Sequence, residues 1–470
     1  MGNTEQEVVK KKSRVPHVYI ILLAVVLFCS ILTYIVPAGT YDMVTLDSGR
    51  EVVDAATFHT MDSTPVNLMQ FLTAVPRGMQ ETALIIFFIF IVGGSFAVLN
   101  ETGAIEAGLG KMVKALKGKE IMVIPVAMIV FSLLGAINGM AEETLPFIPI
   151  FVSLCIAMGY DSLTGTAIVF IGAGSGFAGA FLNPFTIGVA QGIAGLPLFS
   201  GIQYRIVIYI VMVTLGILFV MRYATKVRKN PELSPMRDID LNRTDNMDLD
   251  NLHVFGVKEK AILGIFVASM VLLVIGVIKW GWYINEIAGL FFGMAILCAL
   301  VGGLGLNQYA ISLGEGMAAI ATGALVVGFA RAILVVLTDG NILFTILHSA
   351  ANVLNNLPSM ISAVGMYIFQ CFLNFIVPSG SGQAAVSIPI LAPLGDLVGV
   401  TRQTTCIAYQ LGDGISNIFT PTSGYFMAGL GLARIPWDKW AKWILPLIGA
   451  WYVVGAIFVA VAQSVQLGPF

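Results

Sequence analysis

"INGMAEETLPF", residues 137–147, sets Glu142 and Glu143 side by side inside one of the most apolar regions of the chain. A charge at the centre of a membrane helix costs roughly 2.5–3.5 kcal/mol on insertion scales, so two adjacent carboxylates ask for a tip, a cavity or a ligand. The composition justifies reading the stretch against a bilayer. Of 470 residues, 57% are hydrophobic and only 11% charged, with a mean hydropathy of +0.89, whereas a soluble domain carries about 25% charged residues. The chain therefore reads as a polytopic membrane protein. A net charge of −2 offers no basic footprint for nucleic acid.

Cys29, Cys155, Cys298, Cys371 and Cys406 fall in apolar segments without CxxC or ligand spacing, so they read as small buried hydrophobes. The histidines (His17, His59, His253, His348) are scattered and form no HExxH or paired ligand set. "PSGSG" (378–382) lacks a nucleophile's base partners. Neither a metal cofactor nor an enzyme is expected.

Apolar segments occur near 18–37, 83–105, 121–137, 142–158, 162–186, 202–222, 261–280, 284–304, 323–341, 360–377, 383–398, 402–422 and 441–461. The first follows Lys10, Lys11, Lys12 and Arg14, is long enough for a span and lacks an AxA-like cleavage site. It reads as a retained helix with residues 1–17 in the cytoplasm. The positive-inside rule adds "KMVKALKGK" (111–119), "MRYATKVRK" (221–229) and "RIPWDKWAKW" (434–443) to the cytoplasmic side. Segments 121–137 and 142–158 must then both begin and end inside, which predicts an inner re-entrant hairpin over 121–158 with the two glutamates at its tip. By the same logic 360–398 is an outer hairpin with "VPSGSGQ" (377–383) at its tip, since 341–358 holds no Lys or Arg. Nine spanning helices remain. The polar linker at 223–260 reads as a tether.

Matching motifs recur in one order at separations of about 237 to 240 residues: "VLNETGAI" (98–105) with "VLTDGNI" (336–342), "TLPFIPI" (144–150) with "AVSIPI" (385–390), and "GIAGLP" (192–197) with "GLARIP" (431–436). The chain reads as a duplication, 18–222 and 284–461, flipped by one connecting helix at 261–280. Each half also carries an interrupted helix, "GSGFAGAFLNPFT" (174–186) and "GDGISNIFTPTSG" (412–424). Proline removes a donor and frees carbonyls that hydrocarbon cannot satisfy, so such backbone survives only around a cavity or a ligand. Inverted repeats with broken helices around a midplane site are the signature of secondary transporters. The fold class is thus an all-α polytopic membrane protein, an inverted repeat with two re-entrant hairpins and two broken helices. The helices near 18–37, 202–222, 284–304 and 441–461 are expected to form a scaffold.

Four tips and breaks supply the candidate substrate-binding residues: Asn138, Gly139, Glu142, Glu143 and Thr144; Asn183 and Thr186; Ser379, Gly380 and Ser381; Asn417, Thr420 and Thr422. Arg331, in "GFARAIL" (328–334), is a further candidate, to pair with a substrate carboxylate or to neutralise a buried acid. Of the two glutamates, one is expected to cap the second hairpin helix and the other to meet a ligand. Asp413, between two glycines beside a break, is the candidate for a coupling Na+ or H+.

"GMAEETLPF", "LNPFT", "VPSGSGQAAVSIPILAPLGDLVGVTRQT" and "FTPTSG" together resemble the YfcC-type carriers of the anaerobic C4-dicarboxylate carrier group, within the ion transporter superfamily. Relatives include arginine/ornithine antiporters, whose Gly-Met-x-Glu-Glu-Thr pattern is matched by Gly139, Met140, Glu142, Glu143 and Thr144, and whose Ala-Arg pair is matched by Ala330 and Arg331. An acid corresponding to Asp413 departs from that pattern. The resemblance implies an elevator-type carrier, a homodimer in the bacterial inner membrane, whose partners are a small-molecule substrate and the lipid bilayer. The expected substrate is a cationic amino acid exchanged by antiport, with a C4-dicarboxylate as the alternative. A non-transporting membrane sensor is the alternative from another class, and two closed hairpins argue against a channel.

Overall fold

Helix follows helix wherever the apolar runs allow it, and the glycine and proline positions decide where each stops. The computed structural model describes residues 18–468 apart from 46–50, 55, 106, 109–117, 244–255, 281 and 283. The N-terminal segment, most of the basic stretch at 111–119 and the middle of the linker lie outside these residues.

In chain order the main helices are α1 (Val18–Leu32), α2 (Leu68–Glu81), α3 (Ala83–Glu101), α4 (Val123–Leu133), α5 (Phe147–Ala157), α6 (Ser162–Ala178), α7 (Val189–Ile193), α8 (Ile202–Lys229), α9 (Arg237–Leu241) and α10 (Val257–Trp280). They continue with α11 (Ile284–Gly302), α12 (Leu306–Asp339), α13 (Leu343–Asn355), α14 (Ser359–Ile376), α15 (Gly380–Val398), α16 (Arg402–Ser416), α17 (Gly424–Leu432) and α18 (Trp437–Ser464). Two short antiparallel ladders, Gly39–Thr40 with His59–Thr60 and Met43–Thr45 with Glu51–Val53, decorate the connection after α1. Among the described residues eight helices are long and apolar enough to cross a membrane: Ala83–Glu101, Glu120–Ile137, Ile202–Lys229, Ile284–Gly302, Leu306–Asp339, Ser359–Ile376, Gly380–Val398 and Trp437–Ser464. This is an all-α multi-pass membrane fold, and one element order, α4–α5–α6–break–α7–α8, recurs as α14–α15–α16–break–α17–α18.

Boundaries depart from the sequence reading in three places. The first helix stops at Leu32 rather than 37, because turns carry the chain from Thr33 to Val36 ahead of Pro37. The span expected at 323–341 is the second half of a 34-residue helix that already begins at Leu306. Residues 343–355, expected as a flank, form an amphipathic helix that buries Leu343, Leu347, Ala351 and Leu354.

Packing sorts the helices into two bodies. In the first, α12 lies along α1, α2 and α3, with α11 against α3 and α10 against α11. In the second, α4, α5, α8 and α16 surround α6, while α14, α15 and α18 surround α16. Helices α8 and α18, expected in a scaffold, belong to this second body. Tyr209 Oη lies 2.8 Å from Ser132 Oγ of α4, and Tyr452 Oη lies 2.9 Å from Ser416 Oγ of α16. Hydropathy reports that a helix faces lipid, not which neighbour it leans on. The bodies meet chiefly where α12 packs on α17.

The first part of the linker is no free tether. Asp161 caps α6 through Thr164 N at 2.9 Å, and its other oxygen accepts from Tyr223 Oη at 2.5 Å and Ser234 Oγ at 2.6 Å. Asp240 accepts from Ser162 N at 2.9 Å and pairs with Arg243, whose guanidinium also donates to the Ala433 carbonyl at the end of α17. Residues 231–243 thus strap α6, α8 and α17 together. Asp161→Asn replaces an acceptor that serves four donors, and we expect a cost of about 2–3 kcal/mol, read as a lowered Tm of the purified protein in detergent.

Candidate functional site

The interruption after α4 is built by one residue. Gly139 adopts φ 70°, ψ 28°, ending a wide helical turn over Leu134–Asn138, and a Cβ there would lie 2.5 Å from Asn183 Oδ1. Asn183 itself is buried and fully used: Oδ1 accepts from Phe185 N and Thr186 N, and Nδ2 donates to the Gly135 carbonyl at 3.3 Å. The break after α6 is closed by its neighbours. Phe181 N and Leu182 N donate to the Ala136 carbonyl, and Gln410 Nε2 donates to the carbonyls of Ala178 (3.1 Å) and Ala180 (2.8 Å). After α16, Trp440 Nε1 and Trp437 Nε1 donate to the freed carbonyls of Ile418 and Phe419, both at 3.0 Å. Each unwound stretch is therefore hydrogen-bonded by another element, as a membrane interior demands.

These interruptions enclose a cavity of about 210 Å³ lined by Gly139, Ala141, Glu142, Glu143, Thr186, Ser379, Gly380, Ser381 and Asn417, with Ile85, Phe177, Phe185, Pro378 and Tyr425 as its apolar wall. That volume suits a metabolite rather than a large ligand. Eight of the residues singled out in the sequence meet here. Glu143 Oε2 accepts from Ala141 N at 3.0 Å and closes its own loop, while Glu142 bonds no other side chain among the described residues and lines the cavity. On the opposite wall Ser379 caps α15, its Oγ accepting from Gly382 N, and the positive end of the helix faces the cavity. Among the described residues no Lys, Arg or His lines it.

The remaining candidates lie elsewhere. Arg331 is on α12 and pairs with Glu81 of α2, Nε to Oε2 2.7 Å, with both side chains 40% exposed. It neutralises neither Glu142, Glu143 nor Asp413, because α12 turns this face toward α2, where Arg77 and Asp339 form a second pair. Thr144 bends back onto the Ala141 carbonyl at 2.6 Å, Thr420 onto the Ser416 carbonyl at 3.2 Å, and Thr422 Oγ1 is buried without a partner among the described residues. The side chain of Asn138 lies outside the described atoms.

Asp413 stands one layer behind the cavity in a network that sequence reasoning missed. Asn374 Nδ2 and Asn417 Nδ2 each donate to Asp413 Oδ1 at 3.0 Å; Asn374 also reaches Gln383 Oε1 at 3.1 Å, and Gln383 bonds Gln370. The signal was available: Gln370, Asn374 and Gln383 are the three amide side chains of a mostly apolar pair of helices.

A model of the family described as "C4-dicarboxylate anaerobic carrier" matches residues 15–464. The chain is 37% identical over 488 residues to YfcC of Escherichia coli (strain K12), whose assigned name proposes a basic amino acid antiporter; the match covers 95% of this chain and 96% of that one. It is 30% identical to an uncharacterized protein of Haemophilus influenzae, over 97% and 98% of the two chains. Among solved structures, the YdaH transporter of Alcanivorax borkumensis aligns over 97% of this chain and 100% of that one, with 17% identity and a TM-score of 0.44.

Gly139→Ala places a side chain in left-handed backbone and against Asn183. We expect a loss of at least about 2 kcal/mol and collapse of the tip, seen as a lower Tm, whereas Gly382→Ala, whose Cβ would meet the Ser379 side chain at 3.0 Å and Val377 Cγ1 at 3.7 Å, lowers it far less.

Proposed function

The chain belongs to the C4-dicarboxylate anaerobic carrier family, and from that premise we propose that it carries an amino acid with a cationic side chain by alternating exposure of the cavity between α3 and the tips. Family membership makes it a secondary transporter of a small molecule, multi-pass in the inner membrane, and not an enzyme. The substrate class is our reading. The family's description favours the dicarboxylate alternative; the charge of the cavity favours a cationic amino acid, and the geometry carries our choice.

The single observation behind it is that two glutamates and a helix N-terminus face one cavity whose walls, among the described residues, hold no basic side chain. A dianion there would meet two carboxylates with only N–H dipoles in compensation. A zwitterion with a cationic tail matches both ends: its α-carboxylate at Ser379–Ser381 and its cation at Glu142, which is free where Glu143 is engaged by its own loop. Arg331 drops out of substrate contact and is assigned to holding α12 on α2.

Movement follows from the two bodies. The recurring order of helices supports an inverted repeat, with α4–α5 and α14–α15 as the re-entrant hairpins. The second body, which carries both tips and both breaks, would slide as an elevator along the first at the α12–α17 contact. The protomer would work in a homodimer, as the resemblance implies.

Counterflow in proteoliposomes tests the substrate class. Vesicles loaded with unlabelled arginine or ornithine should accumulate labelled arginine, and Glu142→Gln should reduce this by about 100-fold or more, as loss of a buried charge partner does. Accumulation driven only by succinate and untouched by Glu142→Gln would assign the chain to dicarboxylates instead.

A further inference from the structure

A second cavity, of about 490 Å³, lies away from the site already described, between α10 of the first body and the hairpin helices α4 and α5 of the second. Among the described residues its walls are entirely apolar: α10 contributes Val267, Val271 and Ile275, and α4 and α5 face them with Val130, Leu134 and Phe147. Phe131 stiffens the hairpin side, edge-on to Phe147 at 5.3 Å and to Phe151 at 5.4 Å. Packed protein interiors keep few voids larger than a water molecule, and the cost of a void grows with its volume. A carbon-lined space offers water no partners, so water does not relieve that cost here.

Location names the occupant. Helix α4 belongs to the membrane-crossing stretch Glu120–Ile137, and α10 carries no charged residue from 261 to 278, long enough for a span. The rims are exposed, Val130 by 51%, Val267 by 57% and Val271 by 53%, so the cavity is a groove continuous with the lipid-facing surface. At its charged end the order of groups is that of a phospholipid. Lys260, Gly264, Val267 and Val271 follow one another at helical spacings of four, three and four, which puts them on one face of α10. Lys260 is exposed, and a side chain on Gly264 would meet nothing within 4 Å. Lys119, also exposed, precedes the α4 wall. The acids beside these lysines are engaged: Glu259 accepts from Gly256 N at 2.9 Å, and Glu120 pairs with Arg228. A cationic interface thus leads past an open glycine into an apolar groove, as a lipid phosphate leads into its acyl chain.

We propose that this groove is a phospholipid site, with an acyl chain lying between α10 and the α4–α5 hairpin and the phosphate toward Lys119 and Lys260. The chain joins the two bodies through dispersion contacts alone. Such contacts are remade as the groove changes shape, and the apolar walls set no register, so the lipid fills the gap while leaving the second body free to slide. The effect on transport rests on the alternating-exposure reading above; occupancy by lipid does not.

The test takes the purified full-length protein, delipidated in detergent and given back phosphatidylglycerol, with native mass spectrometry and Tm as readouts. We expect a phospholipid that stays bound after bulk lipid is stripped, and a saturable rise in Tm as it is added. Val271→Trp, which puts an indole into the groove, should lose both, with a lipid-free Tm no lower than that of the native chain because the void is filled. Ile457→Trp, on the exposed face of α18, should keep both. Should Val271→Trp fail to fold, Val130→Phe fills the groove from the opposite wall and decides instead. No retained lipid in the native chain, or equal retention in the filled variants, would overturn the site. So would loss of an oligomer in the filled variants with lipid still bound, which would put a second copy in the groove. In vesicles Val271→Trp should slow counterflow relative to Ile457→Trp, and equal rates would remove the coupling to transport. If lipid is retained while neither arginine nor succinate is exchanged, the transport assignment falls and the site stands; if exchange proceeds and no lipid is retained, the site falls alone.

Discussion

Everything in this molecule depends on keeping broken backbone hydrogen-bonded where no water competes. Four interruptions in apolar helices free carbonyls and N–H groups, and each is met by a specific neighbour: Asn183 for the turn at Gly139, Ala136 and Gln410 for the break after α6, Tyr409 for the tip at Gly380, Trp437 and Trp440 for the break after α16. The partners come from other elements, so the breaks cannot form singly. They line the cavity because there the fold exposes polar backbone in apolar surroundings without leaving it unpaired.

Charge placement follows from the same economy. The basic residues of α2 and α12 are paired across the two helices, Arg77 with Asp339 and Arg331 with Glu81. That leaves the cavity with acidic side chains and helix termini as its sources of field. Opposite ends of helices then divide the labour: the N-terminus of α15, capped by Ser379, faces the cavity, while the C-terminal turns of α14 and α16 bring Asn374 and Asp413 together behind it. Two polar layers of opposite preference are stacked within one tip.

The second body is held as a unit by contacts on several sides. Tyr209 and Tyr452 tie α8 and α18 to the broken helices, and Asp161 and Arg243 bind the folded part of the linker across α6, α8 and α17. By contrast, the contact of α12 with α17 is made where Gly424 meets Val327, and among the described residues no side-chain hydrogen bond or ion pair joins the two helices to fix their register. A surface of that kind permits sliding more readily than one pinned by buried ion pairs.

Sequence alone determined the membrane class, the positions of the interruptions and most of the cavity, because each rests on a local cost: apolar length for a span, proline and glycine for a break, carboxylates in apolar surroundings for a site. Glu142, Glu143, Thr186, Ser379 and Asn417 were legible in this way. What tertiary structure decided is who partners whom. Arg331 reads the same in sequence whether its acid is Asp413 or Glu81, 250 residues away; nothing in the sequence shows that Asn183 accepts from Phe185 N and Thr186 N or that Thr144 donates to the Ala141 carbonyl; and Gln410 gives no local sign that it closes a break at Ala180, 230 residues away. Hydropathy placed α8 and α18 in the membrane but not against α6 and α16. Pairing is a property of facing surfaces, and a one-dimensional pattern records the cost of a group without recording what relieves it.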